Sequence, residues 1–209
     1  MKITVHHGDL PEGLDLGDCV AIDTETMGLR HSRDRLCLAQ LSAGDGTVHL
    51  VRFDNPRDNP TAYAAPRLRA MLADARVLKL FHFARFDMAA FAHAMDTMPR
   101  PVYCTKIASR LVRTYTDRHG LKDLCRELLG VELSKQQQSS DWGAADLTAE
   151  QQDYAASDVL YLHRLRAALD ERLAREGRRQ LAEDCFGCLP ARVALDLAGW
   201  ADEDIFAHA

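Results

Sequence analysis

The segment CVAIDTETMGL, residues 19–29, joins two features that pull against each other. Its first part is an apolar run, expected to form a buried strand over residues 19–23, and it ends in Asp23 followed by Glu25. Side chains two apart on a strand point to the same face, so the segment sets two carboxylates side by side. Like charges that close raise each other's pKa and call for a neutralising partner. A solvated strand end accommodates such a pair, and so does a hard divalent cation bound through oxygen ligands. The pair alone leaves both readings open.

Composition narrows the frame. The chain has 209 residues, 47% hydrophobic and 27% charged, with a mean hydropathy of −0.26, which is ordinary usage for one well-cored globular domain. No run approaches the twenty apolar residues of a membrane span, and MKITVHHGDL has no long apolar stretch of a signal peptide. A cytoplasmic protein is expected. Among six cysteines the only CxxC is Cys185–Cys188, with no second pair to complete a zinc site. They are expected to be small buried hydrophobes in a reducing compartment. The net charge of −5 predicts no polyanion ligand by itself, although bound divalent ions would cancel acids clustered in one place.

Working outward from residue 19, LCLAQLS (36–42) and TVHLVRF (47–53) read as strands separated by turn signals, giving an antiparallel meander. Pro66 opens a short helix, and VLKLF (77–81) is a strand followed by the helical pattern HFARFDMAAFAHAM. PVYC (101–104) is a last strand before TKIASRLVRTY, and GLKDLCRELLG closes on Gly130, a natural C-cap. The spacing predicts one long helix over LTAEQQDYAASDVLYLHRLRAALDERL, opened by a capping box of Thr148 and Gln151. SKQQQSSDWG (134–143) is the one low-complexity tract. The order of elements indicates a mixed α/β layer fold.

Further acids sharpen the pair. Tyr154 and Asp158 stand i, i+4 on the late helix and share a face. Asp87 lies just after a strand, where a first-turn acid also suits the helix dipole. An acid pair on a first strand, an acid after a later strand and Y-x-x-x-D on a late helix together resemble the DEDD 3′–5′ exonucleases, in the branch with a tyrosine. LSKQQQSSDWGAADLTAEQQDYAASDVLYL is similar to ribonuclease D over most of residues 19–173. The resemblance narrows to nanoRNase C, short alphaproteobacterial relatives of ribonuclease D, through IDTETMGL, FHFARFD, VYCTKIASRLVRTYTDRHGLKDLC, SKQQQSSDWG and the tail LDLAGWADEDIFAHA.

That resemblance implies a ribonuclease H-like fold, with a mixed sheet of about five strands flanked by helices. It implies one exonuclease domain over residues 1–209, with a catalytic core of about 19–173, a helical tail over 174–209 and no HRDC domain. Two divalent ions, Mg2+ or Mn2+, would be held by Asp23, Glu25, Asp87 and Asp158, with Asp23 bridging both. Tyr154 would orient the attacking water. Thr24, Thr26, Met27, Gly28 and Leu29 would meet the terminal nucleotide, His82 would stand beside the site, and Lys135 would meet a substrate phosphate. His82 reads equally as a hydrogen-bonded structural histidine. The expected substrate is short single-stranded RNA, dinucleotides included, with DNA or longer RNA as alternatives. A nucleic-acid-binding module would need a broken acid set, and the set is whole. WGAADLT, where ribonuclease D often has W-x-x-R-P-L-T, argues against long structured RNA. The implied assembly is a homo-oligomer, an octamer. Lys106, Arg110 and Arg113, with Arg118, His119 and Lys122 nearby, form a basic region that suits phosphates, a neighbouring subunit or solvent.

Overall fold

The computed structural model describes residues 1–134 and 136–208. Among the described residues six strands form a single mixed sheet: β1 (Lys2–His7), β2 (Cys19–Thr26), β3 (Leu36–Ser42), β4 (Thr47–Arg52), β5 (Leu78–Phe81) and β6 (Val102–Cys104). Their order is β1-β4-β3-β2-β5-β6. The expected meander is present, with β2–β3 and β3–β4 antiparallel, while β5 adds parallel to β2, β6 parallel to β5, and β1 parallel to β4. Strand β3, central and buried along its whole length, reads as an apolar run because neither face meets water.

Two sequence expectations need correction here. The sheet has six strands rather than about five, because residues 2–7 form an edge strand. Only Ile3 and Val5 carry its apolar face, between Lys2, Thr4 and His6, and an alternation of two apolar residues is too short to announce a strand. Strand β2 also runs on through Thr26, so Asp23 and Glu25 lie within the strand instead of at its end. Thr24 and Thr26 are β-branched and extend the strand geometry past the apolar run. The register pairs Asp23 with Gln40 and Glu25 with Leu38, then shifts between Glu25 and Thr26. Such an irregularity re-aims the chain beside the acids.

The helices are α1 (Pro66–Ala73), α2 (Ala84–Met95), α3 (Thr105–Val112), α4 (Leu121–Leu124), α5 (Ala149–Leu160), α6 (Leu162–Arg175) and α7 (Arg179–Leu195). A π-helical turn over Cys125–Leu129 extends α4 and ends on Gly130 at φ 67°, as the C-cap reading requires. A second π turn, Asp196–Trp200, follows α7. Helix α5 packs on β2, β3 and β4, and α2 packs on β2, β3, β5 and β6. The late helical pattern is broken at Tyr161 into α5 and α6, a correction to the single helix expected. The capping box is present: Thr148 Oγ1 accepts from Gln151 N at 3.2 Å, and Gln151 Oε1 accepts from Thr148 N at 2.9 Å. No helix among the described residues is long and apolar enough to cross a membrane.

Candidate metal centre and nucleotide cleft

The acids converge. Carboxylate oxygens of Asp23, Glu25 and Asp158 lie within 4.8 Å of one another. Strand alternation presents Asp23 and Glu25 together, and the regular turn of α5 brings Asp158 onto them with Tyr154 one turn earlier. Thr24 leaves the strand on the other face and donates from Oγ1 to Asp87 Oδ1 at 2.6 Å. Asp87 occupies the first turn of α2, as expected, and is 2% exposed. Gln40, the cross-strand partner, donates from Nε2 to Asp23 Oδ2 at 3.4 Å.

Electrostatics make the cluster unfavourable as four bare carboxylates. Burial, and then the charges of Asp87, Asp158 and Glu25, hold Asp23 well above the usual carboxylate range. Burial raises Glu25 to about 9, with Asp158 and Asp87 adding to the shift. Asp87 and Asp158 are each raised to about 7, chiefly by burial; the Tyr154 phenol pulls Asp158 the other way. Among the described residues none of these four acids is in a salt bridge with a lysine, arginine or histidine. An all-oxygen donor set without a cationic side chain fits a hard divalent ion, and such ions relieve the repulsion that raises the pKa values.

Around the acids a cleft of about 690 Å³ is lined by Thr24, Thr26, Met27, Gly28, Leu29 and His82, which the sequence reading had placed there. Met27 and Leu29 expose 49% and 83% of their surface. Gly28 is required by close approach: a Cβ there would stand 2.8 Å from Asp34 Cγ. Asp34 accepts from the backbone N–H of Arg30 at 3.0 Å and from the Arg33 side chain, so it ties the 27–35 loop together. Both readings of His82 meet at one residue, since it lines the cleft and also pairs through Nδ1 with Thr105 Oγ1 at 2.9 Å. Burial lowers its pKa to about 3, so the ring is neutral. Lys135 lies outside the described residues.

Several cleft residues were not singled out from sequence. Phe83 and Phe86 flank the Asp87 turn, and Lys106, from the basic region already read in the sequence, places Nζ 4.0 Å from the Phe83 ring centre. Ser134, Gln138, Ser139, Ser140 and Trp142 bring the polar tract into the wall. Gln151 anchors it, donating from Nε2 to Ser140 Oγ at 3.0 Å and to the Asp141 carbonyl at 3.1 Å while its Oε1 caps α5. Trp142 is buried with its ring 6.0 Å from that of Tyr154. Capping box and tract are therefore one device for placing the tyrosine.

Two other expectations change. Arg113 is 1% exposed at the end of α3 and pairs with Glu127, Ser109 and the Arg118 carbonyl, so it cannot reach phosphate or a neighbour. Of the basic set, Lys106 and Lys122 line the cleft. Cys188 is exposed and Cys185 half-buried, so the CxxC does not fill the core, whereas Cys37, Cys104 and Cys125 do.

Comparisons with known proteins follow the same lines. A family model described as a 3′–5′ exonuclease matches residues 9–174. Ribonuclease D of Gluconacetobacter diazotrophicus is 36% identical over 159 residues, covering 76% of this chain and 39% of that protein. The chain thus spans about two fifths of the length of the curated relatives it matches. Among solved structures, Brucella melitensis NrnC with bound Mg2+ is 55% identical with a TM-score of 0.93, and the match covers 100% of both chains. The same protein bound to pGG matches at 56% identity and a TM-score of 0.94 over 100% of both chains. Escherichia coli RNase D, an exoribonuclease involved in structured RNA processing, matches 84% of this chain and 45% of its own at 27% identity, with a TM-score of 0.72.

Proposed function

The chain belongs to the 3′–5′ exonuclease family that includes ribonuclease D and NrnC, and from that premise we propose that it hydrolyses short RNA, dinucleotides included, releasing nucleoside 5′-monophosphates. The observation that carries the reading is the convergence of Asp23, Glu25 and Asp158 within 4.8 Å, with Tyr154 one turn from Asp158. In this reading those three acids and Asp87 hold two divalent ions, Mg2+ or Mn2+. When bound, such ions supply Lewis-acid activation of water and stabilise the leaving oxygen of an in-line displacement at phosphorus.

The chain's own residues do the rest. Thr24 fixes the Asp87 carboxylate and Gln40 steadies Asp23. Burial and the neighbouring acids hold the Tyr154 phenol above its ordinary range, so it keeps its proton at neutral pH and acts as a hydrogen-bonding guide for water rather than as a base. Met27 and Leu29 offer apolar contact to the terminal base, while Lys106 and Lys122 offer charge to phosphate. Tyr154→Phe is expected to slow turnover by about 10- to 100-fold with a much smaller change in RNA affinity. Single-turnover kinetics beside equilibrium binding checks this, and a wild-type rate would remove the tyrosine from the mechanism.

Support for a short substrate comes from the relative bound to pGG, which matches the chain end to end. The test compares 5′-labelled RNAs of graded length, from the dinucleotide upward, and matched DNAs, with magnesium or manganese. A rate highest on the dinucleotide is expected. A flat length profile would replace this reading with general trimming of single strands, and equal rates on DNA would remove the RNA preference. The homo-octamer is part of the same proposal, and light scattering on the purified chain tests it.

A further inference from the structure

The first turn of α2 gives the cleft Phe83, Phe86 and Asp87, yet nothing in its own sequence secures it. It begins without a side-chain cap, and Phe83 at its head has φ 68°, in the left-handed region. A bulky residue held in that conformation persists only where surrounding contacts over-determine it.

The turn is gripped, at Arg85, from the other end of the chain. Arg85 donates from Nε and Nη2 to the two carboxylate oxygens of Asp196, at 2.5 and 2.7 Å, and from Nη2 to the Ala201 carbonyl at 2.8 Å. Arg192, on α7, donates to the same carboxylate at 2.9 and 2.7 Å, and to the carbonyls of Glu203 at 3.0 Å and Ala201 at 3.2 Å. Asp196 is thus gripped by two forked guanidiniums, one from each helix, and its side chain is only 12% exposed. Inside the cleft wall the same turn is met by His31, whose ring lies 4.6 Å from that of Phe86, and by Thr24 on Asp87. Arg85 itself does not line the cleft; it grips the turn from behind.

We propose that Arg85 and Asp196 are positioning residues: their ion pair straps the segment after α7 to the first turn of α2 and so sets where Phe86 and Asp87 stand in the cleft. The proposal rests on the exonuclease reading for its kinetic consequence, while its structural consequence is measurable without activity.

The test uses the full chain with Arg85→Ala and Arg85→Lys, reading amide hydrogen exchange alongside kcat and KM on a dinucleotide. Arg85→Ala is expected to speed exchange of the residue 84–88 amides by about tenfold while those of α5 stay protected. It is also expected to lower kcat about tenfold with KM within about twofold, because a small misplacement of a reacting-site group acts on turnover. Arg85→Lys, which keeps the charge but loses the fork, should recover to within about threefold of wild type. Should Arg85→Ala fail to fold, Asp196→Asn replaces it, with faster exchange at 84–88 and lower kcat expected and wild-type values on both overturning the proposal. Wild-type exchange and kcat in Arg85→Ala would overturn it too, as would a loss of kcat matched by the fraction of unfolded protein. An inactive wild-type chain would sink the exonuclease reading alone, since the exchange measurement still decides the strap.

Discussion

Asp158→Asn is expected to abolish hydrolysis of short RNA, by more than about a thousandfold, while the protein stays folded and still binds RNA. The substitution preserves size and hydrogen-bonding shape on α5, so packing against β2 is undisturbed. It removes one of three charges whose oxygens lie within 4.8 Å, leaving Asp23 and Glu25 without the third carboxylate that an ion there would need. The same change relieves repulsion, because Asp158 is among the charges that raise Asp23 and is the charge that raises Glu25 most. The metal-free variant should therefore melt no lower than the metal-free parent, and added magnesium should shift its melting temperature less. Circular dichroism, fluorescence anisotropy with a labelled RNA and a magnesium-dependent rate separate these effects. A wild-type rate would end the assignment of the site.

What was legible in the sequence was what local chemistry decides. The D-x-E pair, the Thr148–Gln151 capping box and the i, i+4 spacing of Tyr154 and Asp158 each follow from a single element's repeat, and each is found as read. Strand β1 was illegible because its one packed face consists of Ile3 and Val5 alone, an alternation too short to stand out beside His6 and His7. Arg113 shows the limit of periodicity: helical spacing assigns it a face, but Glu127, fourteen residues on, turns it inward. The break at Tyr161 carries no proline or glycine to announce it. The strap is hidden for a similar reason, since Arg85 in FHFARFD and Asp196 in LDLAGWADEDIFAHA stand 111 residues apart and no local spacing pairs them. In the cleft, the acids could be found because like charges demand an explanation. Phe83 and Trp142 could not, because an aromatic on a wall and one in a core look alike in sequence.

Without divalent metal, the protein is expected to lose stability as pH rises from about 6.5 to about 8, and magnesium or manganese should remove most of that loss. The sign follows from which state holds more protons. Glu25 keeps its proton up to about 9 in the folded chain, against 4.5 for the ordinary side chain, and Asp87 and Asp158 keep theirs up to about 7. Across this window the folded state binds more protons than the unfolded one, so unfolding free energy falls as pH increases. Below 6.5 the neutral His82 acts in the opposite sense, because the unfolded chain protonates there and the folded ring does not until about 3. Above about 8 the buried Lys79 begins to oppose the trend as well. One proton retained through the window is worth about 1.4 kcal/mol per pH unit. Glu25 alone should thus cost about 2 kcal/mol between pH 6.5 and 8, roughly 4–8 °C in melting temperature for a chain of this size, and Asp87 and Asp158 add to that loss in the lower part of the window. A bound cation competes with these protons and stabilises the folded state by mass action, so the gap between metal-loaded and metal-free melting curves should widen with pH. Thermal melts in chelator and in magnesium at several pH values measure that gap. Curves that coincide at pH 8 would mean that the four acids do not gather around a cation.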